Sequence, residues 1–151
     1  QEFYRRKVAP YEDEKINENG DLTWFSSRFT YNTYMVTATK IDKSWGYELI
    51  RVNNKEQNYC SKVLHIEAGK KTSMHYHLKK HETFYVKDGY LTILTINPKT
   101  TDVESHILKP GMTMEISQGT AHQLVAPEDS SITFDETSTY SDPDDSLRVW
   151  G

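Results

Sequence analysis

"GKKTSMHYHLKKHETFYVKDGYLTILTI", residues 69–96, carries both the fold signal and the chemical signal of this chain. Its second half contains "ETFYVK" and "YLTILTI", short runs rich in β-branched and aromatic residues of the kind that suit half-buried strands. Between them stands Asp88-Gly89, a dipeptide that tolerates positive φ, which predicts a tight hairpin pairing the two runs. In the first half, His75 and His77 are two residues apart, so on an extended chain they share a face and aim at one point. Glu82 opens the next strand across the connection "LKKH" and brings a carboxylate toward the same point.

The same strand pattern recurs on both sides. "TYMVTATK" (33–40), "WGYELIRV" (45–52), "YCSKVLHIEA" (59–68), "VESHIL" (103–108), "MTMEI" (112–116), "AHQLVA" (121–126) and "SITFDETS" (131–138) are strand-like. Turn residues separate them: Asn53-Asn54, Ala68-Gly69, Asn97-Pro98, Pro110-Gly111, Gln118-Gly119 and Pro127. Short strands at this spacing indicate an all-β sandwich or barrel, and no segment of helical period competes. At 151 residues the chain suits one domain with a real core. The expected layout is an N-terminal arm over 1–32, a barrel over 33–138 and a C-terminal segment over 139–151 that folds back on the barrel. The arm is charged and poor in aliphatic residues up to Asn19-Gly20. The tail is acidic and loop-like until Leu147.

Charge excludes some partners. The formal net charge is −4, from 22 acidic and 18 basic side chains mixed along the chain, and the only basic block is Arg5-Arg6-Lys7. Nucleic acid is therefore not an expected partner. No apolar stretch approaches the roughly 20 residues needed to span a bilayer, so no membrane is expected either. A single cysteine, Cys60, forms no internal disulfide and reads as a small buried apolar residue, which favours a cytoplasmic setting. The chain opens on Gln1 rather than methionine, which leaves room for a targeting segment ahead of it.

His75, His77 and Glu82 make three N/O donors, and His122 in "GTAHQL" is placed to supply a fourth. Such a set suits one divalent ion of Mn, Fe, Zn, Ni or Co better than Ca, and leaves a position for water or substrate. An H-x-H pair alone is more often a surface pair than a ligand set. The wider spacing says more: Gly69, His75, His77, Glu82 and Gly89 in one motif, then Gly111, Ser117, Gly119 and His122 in a second.

Those two stretches resemble the paired motifs of the cupin superfamily. The first matches at every defining position. In the second, Ser117 stands where the family usually has proline and Ala126 where it often has asparagine. The resemblance runs from about Trp45 to Arg148 and implies a jelly-roll β-barrel (double-stranded β-helix), with His75, His77, Glu82 and His122 as metal ligands. "KSWGYELI" (43–50) and "ITFDETSTYSDPDDSLRV" (132–149) are further similar to the flanks of cupin sugar isomerases of the mannose-6-phosphate-isomerase-like and D-lyxose-isomerase-like branches. The residues that carry this are Trp45, Gly46 and Glu48, then Glu136, Ser138, Thr139, Asp145 and Arg148.

This likeness implies a metal-dependent sugar or sugar-phosphate isomerase or epimerase. Such a reaction needs a base within reach of the proton next to a carbonyl. Glu136 alternates with Ile132 and Phe134 toward the interior and is the candidate base. Lys62 shares a face with Leu64 and Ile66 and is its candidate electrostatic partner or proton donor, although a register slip of one would turn it outward. Arg148 is a candidate for binding a substrate anion, with an ion pair to Asp144 or Asp145 as the competing use. Two alternatives stand beside this reading: a non-haem iron cupin dioxygenase, and a non-catalytic sugar-binding or regulatory cupin.

The remaining candidates read as bland. His81 is a solvated loop histidine pointing away from the ligands, His65 faces outward, and His106 has no partner nearby. Tyr76 and Tyr85 are packing residues, and Met112 and Met114 line the core. The aromatic stretch "WFSSRFTYNTYMV" (24–36) is expected to pair with a second subunit in a homodimer.

Overall fold

A computed structural model describes residues 35–151, of which 37–151 form one unit built of eleven strands. They are β1 (Thr39–Lys43), β2 (Gly46–Asn54), β3 (Tyr59–Ile66), β4 (Met74–Tyr76), β5 (Glu82–Tyr85), β6 (Leu91–Ile96), β7 (Val103–Leu108), β8 (Thr113–Ile116), β9 (His122–Val125), β10 (Ile132–Ser138) and β11 (Leu147–Trp150). One antiparallel sheet runs β1-β2-β3-β10-β5-β8, and a second runs β11-β4-β9-β6-β7. Among the described residues no helix is long and apolar enough to cross a membrane.

Period-two alternation builds the core from both sheets. Leu64 and Ile66 of β3, Phe84 of β5, Leu91 and Ile93 of β6, Leu124 of β9, and Ile132 and Phe134 of β10 belong to one buried cluster, with Trp45 and Met114 packed on its edge. Alternate residues of these strands face out, which is the pattern expected of sheets packed on one side. This is a jelly roll, and the all-β reading of the sequence holds.

Several local expectations need correction. Asp88-Gly89 does not close a hairpin between the runs on either side of it. β5 pairs with β10 and β8 in the first sheet, whereas β6 pairs with β9 and β7 in the second. The turn is a corner that passes the chain from one sheet to the other. Gly89 still takes φ +80°, and a Cβ there would come within 2.9 Å of Ile132 Cδ1. Of the strand expected over 33–40, the described residues 35–38 lie outside any strand and β1 begins at Thr39, pairing with β2 from Thr39 opposite Ile50 to Lys43 opposite Gly46. Met112 is 46% exposed and does not line the core. Tyr85 is also exposed. His106 does have a partner, the Thr95 hydroxyl at 2.9 Å.

The C-terminal segment contributes β11, which pairs with β4 and sets Arg148 opposite His75. The expected arm over 1–32, and most of the aromatic stretch from which a dimer contact was expected, lie outside the described residues.

Candidate metal centre

Read along their inward faces, the central strands change from apolar to polar toward one end of the barrel. On β3 the order is Ile66, Leu64, Lys62; on β10 it is Ile132, Phe134, Glu136; on β9 it is Leu124, then His122. Register aligns the change, since Ile132 faces Ile66, Phe134 faces Leu64, and Glu136 faces Lys62. On β5 the buried Phe84 is followed toward the same end by Glu82, and across the second sheet His75 sits opposite His122. A cavity of about 670 Å³ opens in this polar half, with His75, His77, Glu82, His122, Lys62 and Glu136 on its wall.

Each of three imidazoles is oriented by a backbone carbonyl. His75 Nδ1 lies 2.9 Å from Ser73 O, His122 Nδ1 lies 2.9 Å from Thr120 O, and His77 Nδ1 lies 2.6 Å from Asp145 O. A carbonyl only accepts, so each Nδ1 carries a proton, and in the neutral ring Nε2 is the nitrogen that offers its lone pair. The ligating atoms of His75, His77 and His122 all lie within 4.8 Å of one another. Burial pushes the His75 imidazolium down to about 4, with His122 adding to the effect. Burial likewise lowers His77, helped by the charge of Lys80. The neutral ring that this favours is the form that binds metals.

Glu82, 1% exposed, completes the group. Its Oε1 is 2.6 Å from His122 Nε2 and 3.7 Å from His77 Nε2. The shorter approach has the distance of an ion pair without the angles of a hydrogen bond, so Glu82 Oε1 and His77 Nε2 both remain buried and unsatisfied. Burial alone would raise the Glu82 carboxyl, but His122 and Lys80 outweigh it and hold it below the usual carboxylate range. Orphaned buried polar atoms are costly, and a cation among these lone pairs would satisfy them together. Three neutral imidazole nitrogens and one carboxylate oxygen fit a divalent transition metal.

A row of buried charges leads away from this group. Lys80 Nζ stands 2.7 Å from Glu82 Oε2 and 3.5 Å from Glu136 Oε2. Lys62 Nζ stands 3.9 Å from Glu136 Oε2 and 3.5 Å from Glu48 Oε2. Burial raises the Glu136 carboxyl despite the opposing charge of Lys80. Lys62 therefore points inward, and the slipped register does not occur. Arg148 is exposed on β11 at the cavity wall, and among the described residues it makes no ion pair with Asp144 or Asp145.

Two residues that build this site escaped the sequence reading. Lys80 stands in the connection "LKKH", where the sequence reading gave it no role, yet it is 5% exposed. Asp145, noted as part of a flanking motif and as a competing partner for Arg148, accepts the backbone N–H groups of Leu78, Lys79 and Lys80 through its carboxylate and orients His77 through its carbonyl. A local sequence signal for either is weak: Asp145 acts across 65 residues or more of chain, and Lys80, although two residues from Glu82, is enclosed by Glu136, 56 residues away. His81 turns away to Glu115, 2.6 Å from its Nε2, and His65 stacks on Tyr47 outside the barrel. Cys60 is buried.

Comparison with known proteins agrees with this architecture. Residues 62–135 match the family model described as Cupin domain, and residues 1–22 match a domain of unknown function (DUF6899). No curated protein matches the chain. Among solved structures, the capsular polysaccharide assembling protein CapF from Staphylococcus aureus aligns at TM-score 0.67 and 15% identity, covering 78% of this chain and 35% of CapF. Oxalate decarboxylase from Bacillus subtilis aligns at TM-score 0.62 and 17% identity, covering 79% of this chain and 33% of that one. KdgF from Halomonas sp. aligns at TM-score 0.57 and 18% identity, covering 70% of this chain and 89% of KdgF. This chain thus spans about a third of the length of CapF and of the decarboxylase, and at these identities the likeness is one of fold. The family match, with the two sheets and the histidine cluster between them, identifies residues 62–135 as a cupin domain.

Proposed function

We propose that this protein is a divalent-metal-dependent isomerase or epimerase acting on a sugar or sugar phosphate. In this reading His75, His77, Glu82 and His122 hold the metal, Glu136 is the general base, Lys62 is its electrostatic partner or proton donor, and Arg148 receives an anionic group of the substrate. The observation that carries it is the convergence of three imidazoles beside an unsatisfied carboxylate oxygen, at the head of a row of charges lining one cavity.

When bound, the metal supplies Lewis acidity toward a substrate carbonyl. Glu136 stands in the same cavity with its proton affinity raised by burial, the condition that suits a group taking and returning a proton near neutral pH. Lys62 places a positive charge 3.9 Å from that carboxylate and is anchored on its other side by Glu48. Glu48, Lys62, Lys80 and Glu136 offer fixed donors and acceptors along the wall, which suits a polyhydroxylated substrate better than the apolar substrates of many oxygenases. Arg148, exposed beside the cavity and opposite His75 in register, is positioned for a terminal anion.

The test is metal analysis of the purified protein, followed by incubation with free and phosphorylated aldoses in deuterated water. Deuterium is expected at C2 with one or more of them. Glu136→Gln is expected to slow that exchange by about 10²–10⁴-fold while metal content is kept. Metal-loaded protein that exchanges no proton on any sugar of the panel overturns the isomerase reading and leaves a binding role.

A further inference from the structure

We propose that Lys80 is a positioning residue of the metal centre: its ammonium takes one oxygen of Glu82, Oε2, and so turns the other, Oε1, toward the histidines. This rests on the reading of the centre as a metal site.

A carboxylate has two equivalent oxygens and can offer a cation either or both. In Glu82 they are not equivalent. Oε2 lies 2.7 Å from Lys80 Nζ, while Oε1 lies 2.6 Å from His122 Nε2 and 3.7 Å from His77 Nε2. Lys80 is only 5% exposed, and burying an ammonium is costly unless it is paired. Its two partners are Glu82 and, at 3.5 Å, Glu136, so a single point charge serves both the carboxylate facing the histidines and the candidate base.

The backbone from which Lys80 springs is held as well. Asp145 accepts the Lys80 N–H at 3.0 Å and those of Leu78 and Lys79 beside it, and its carbonyl takes His77 Nδ1–H. One residue of the loop before β11 therefore sets His77 and the origin of Lys80 in one stroke. With Oε2 occupied by the ammonium, Glu82 presents a single oxygen to the cluster, which keeps room at the centre for a substrate. Partners behind a ligand commonly govern affinity in this way.

The test uses Co²⁺ as probe on the full chain. Wild type, Lys80→Met, Glu82→Gln and the double variant are titrated against a competing chromophoric chelator, with the visible absorption of bound Co²⁺ as the second readout and circular dichroism as the check of folding. Lys80→Met is expected to weaken binding by about 10–100-fold and to change the cobalt spectrum. The same substitution is expected to change neither in the Glu82→Gln background, because its effect passes through Glu82. Should Lys80→Met not fold, Lys80→Met/Glu136→Gln, which removes the ion pair as a neutral unit, is compared with Glu136→Gln by the same two readouts. A folded Lys80→Met protein with wild-type affinity and spectrum overturns the proposal, and so does an equal loss in the Glu82→Gln background. Wild type that binds no Co²⁺ overturns instead the metal reading on which the proposal stands.

Discussion

Asp145 does at the residue scale what a helix cap does elsewhere: its side chain gathers three successive backbone donors of one loop. The N–H groups of Leu78, Lys79 and Lys80 all end on its carboxylate, at 2.9 to 3.0 Å for the shortest contact of each. Burial alone would raise its carboxyl, and the three N–H groups outweigh that and hold it below the ordinary carboxylate range. A folded-state value below the unfolded one means that the stabilisation is present above the unfolded value, about 3.9, and is lost as pH falls through the folded value. Asp145→Asn should therefore lower stability to urea at pH 6 by about 1–3 kcal/mol. The gap from wild type should close below about pH 4. A gap of constant size from pH 6 to pH 3 would show that the charge contributes nothing and only the shape of the side chain matters.

At the scale of elements, the β1–β2 connection depends on a glycine. Gly46 takes φ +151°, and a Cβ there would stand 1.9 Å from the carbonyl oxygen of His65 on the neighbouring β3. The obstacle is backbone in the middle of the sheet and cannot swing aside, so Gly46→Ala must push β2 off β3. Gly111 offers the contrast: its φ is +86°, yet nothing lies within 4 Å of an added Cβ. Gly111→Ala is expected to cost only the conformational term, about 1–2 kcal/mol. Gly46→Ala is expected to exceed about 3 kcal/mol in the same urea series. Equal losses at the two positions would mean that the sheet yields at Gly46. The site feels such a shift, because Lys62 on β3 anchors the row of charges and pairs with Glu48 on β2.

For the whole molecule the division of the interior into a dry end and a charged end has a thermodynamic consequence. The apolar cluster around Phe84, Phe134 and Ile93 stabilises the barrel without help. The polar end holds two unsatisfied buried atoms, His77 Nε2 and Glu82 Oε1, and a ligand that satisfies them only in the folded state stabilises that state by mass action. Divalent metal at about 100 times its Kd should add about 2.7 kcal/mol, visible as a rise in Tm that a chelator reverses. His122→Ala removes the ring nearest Glu82 and should abolish the rise. No shift with any of Mn, Fe, Co, Ni or Zn would remove the metal from this account.

Sequence by itself determined what depends on neighbours along the chain. Alternation on β3, β6 and β10 told inside from outside and put Glu136 on the inner face with its apolar companions, while the register of β3, and with it the direction of Lys62, was left for the structure to decide. The H-x-H spacing set His75 and His77 toward one region for the same reason: in an extended backbone every second side chain points one way. Only the tertiary structure decided that Asp88-Gly89 turns a corner between sheets, that Lys80 lies buried between two carboxylates, and that Asp145 reaches back to clamp the loop behind His77. Whether a turn closes a hairpin depends on which distant strands compete for its flanks. Whether a lysine is solvated depends on what distant strands bring beside it: Glu82 is two residues from Lys80, but the second carboxylate, Glu136, arrives on β10.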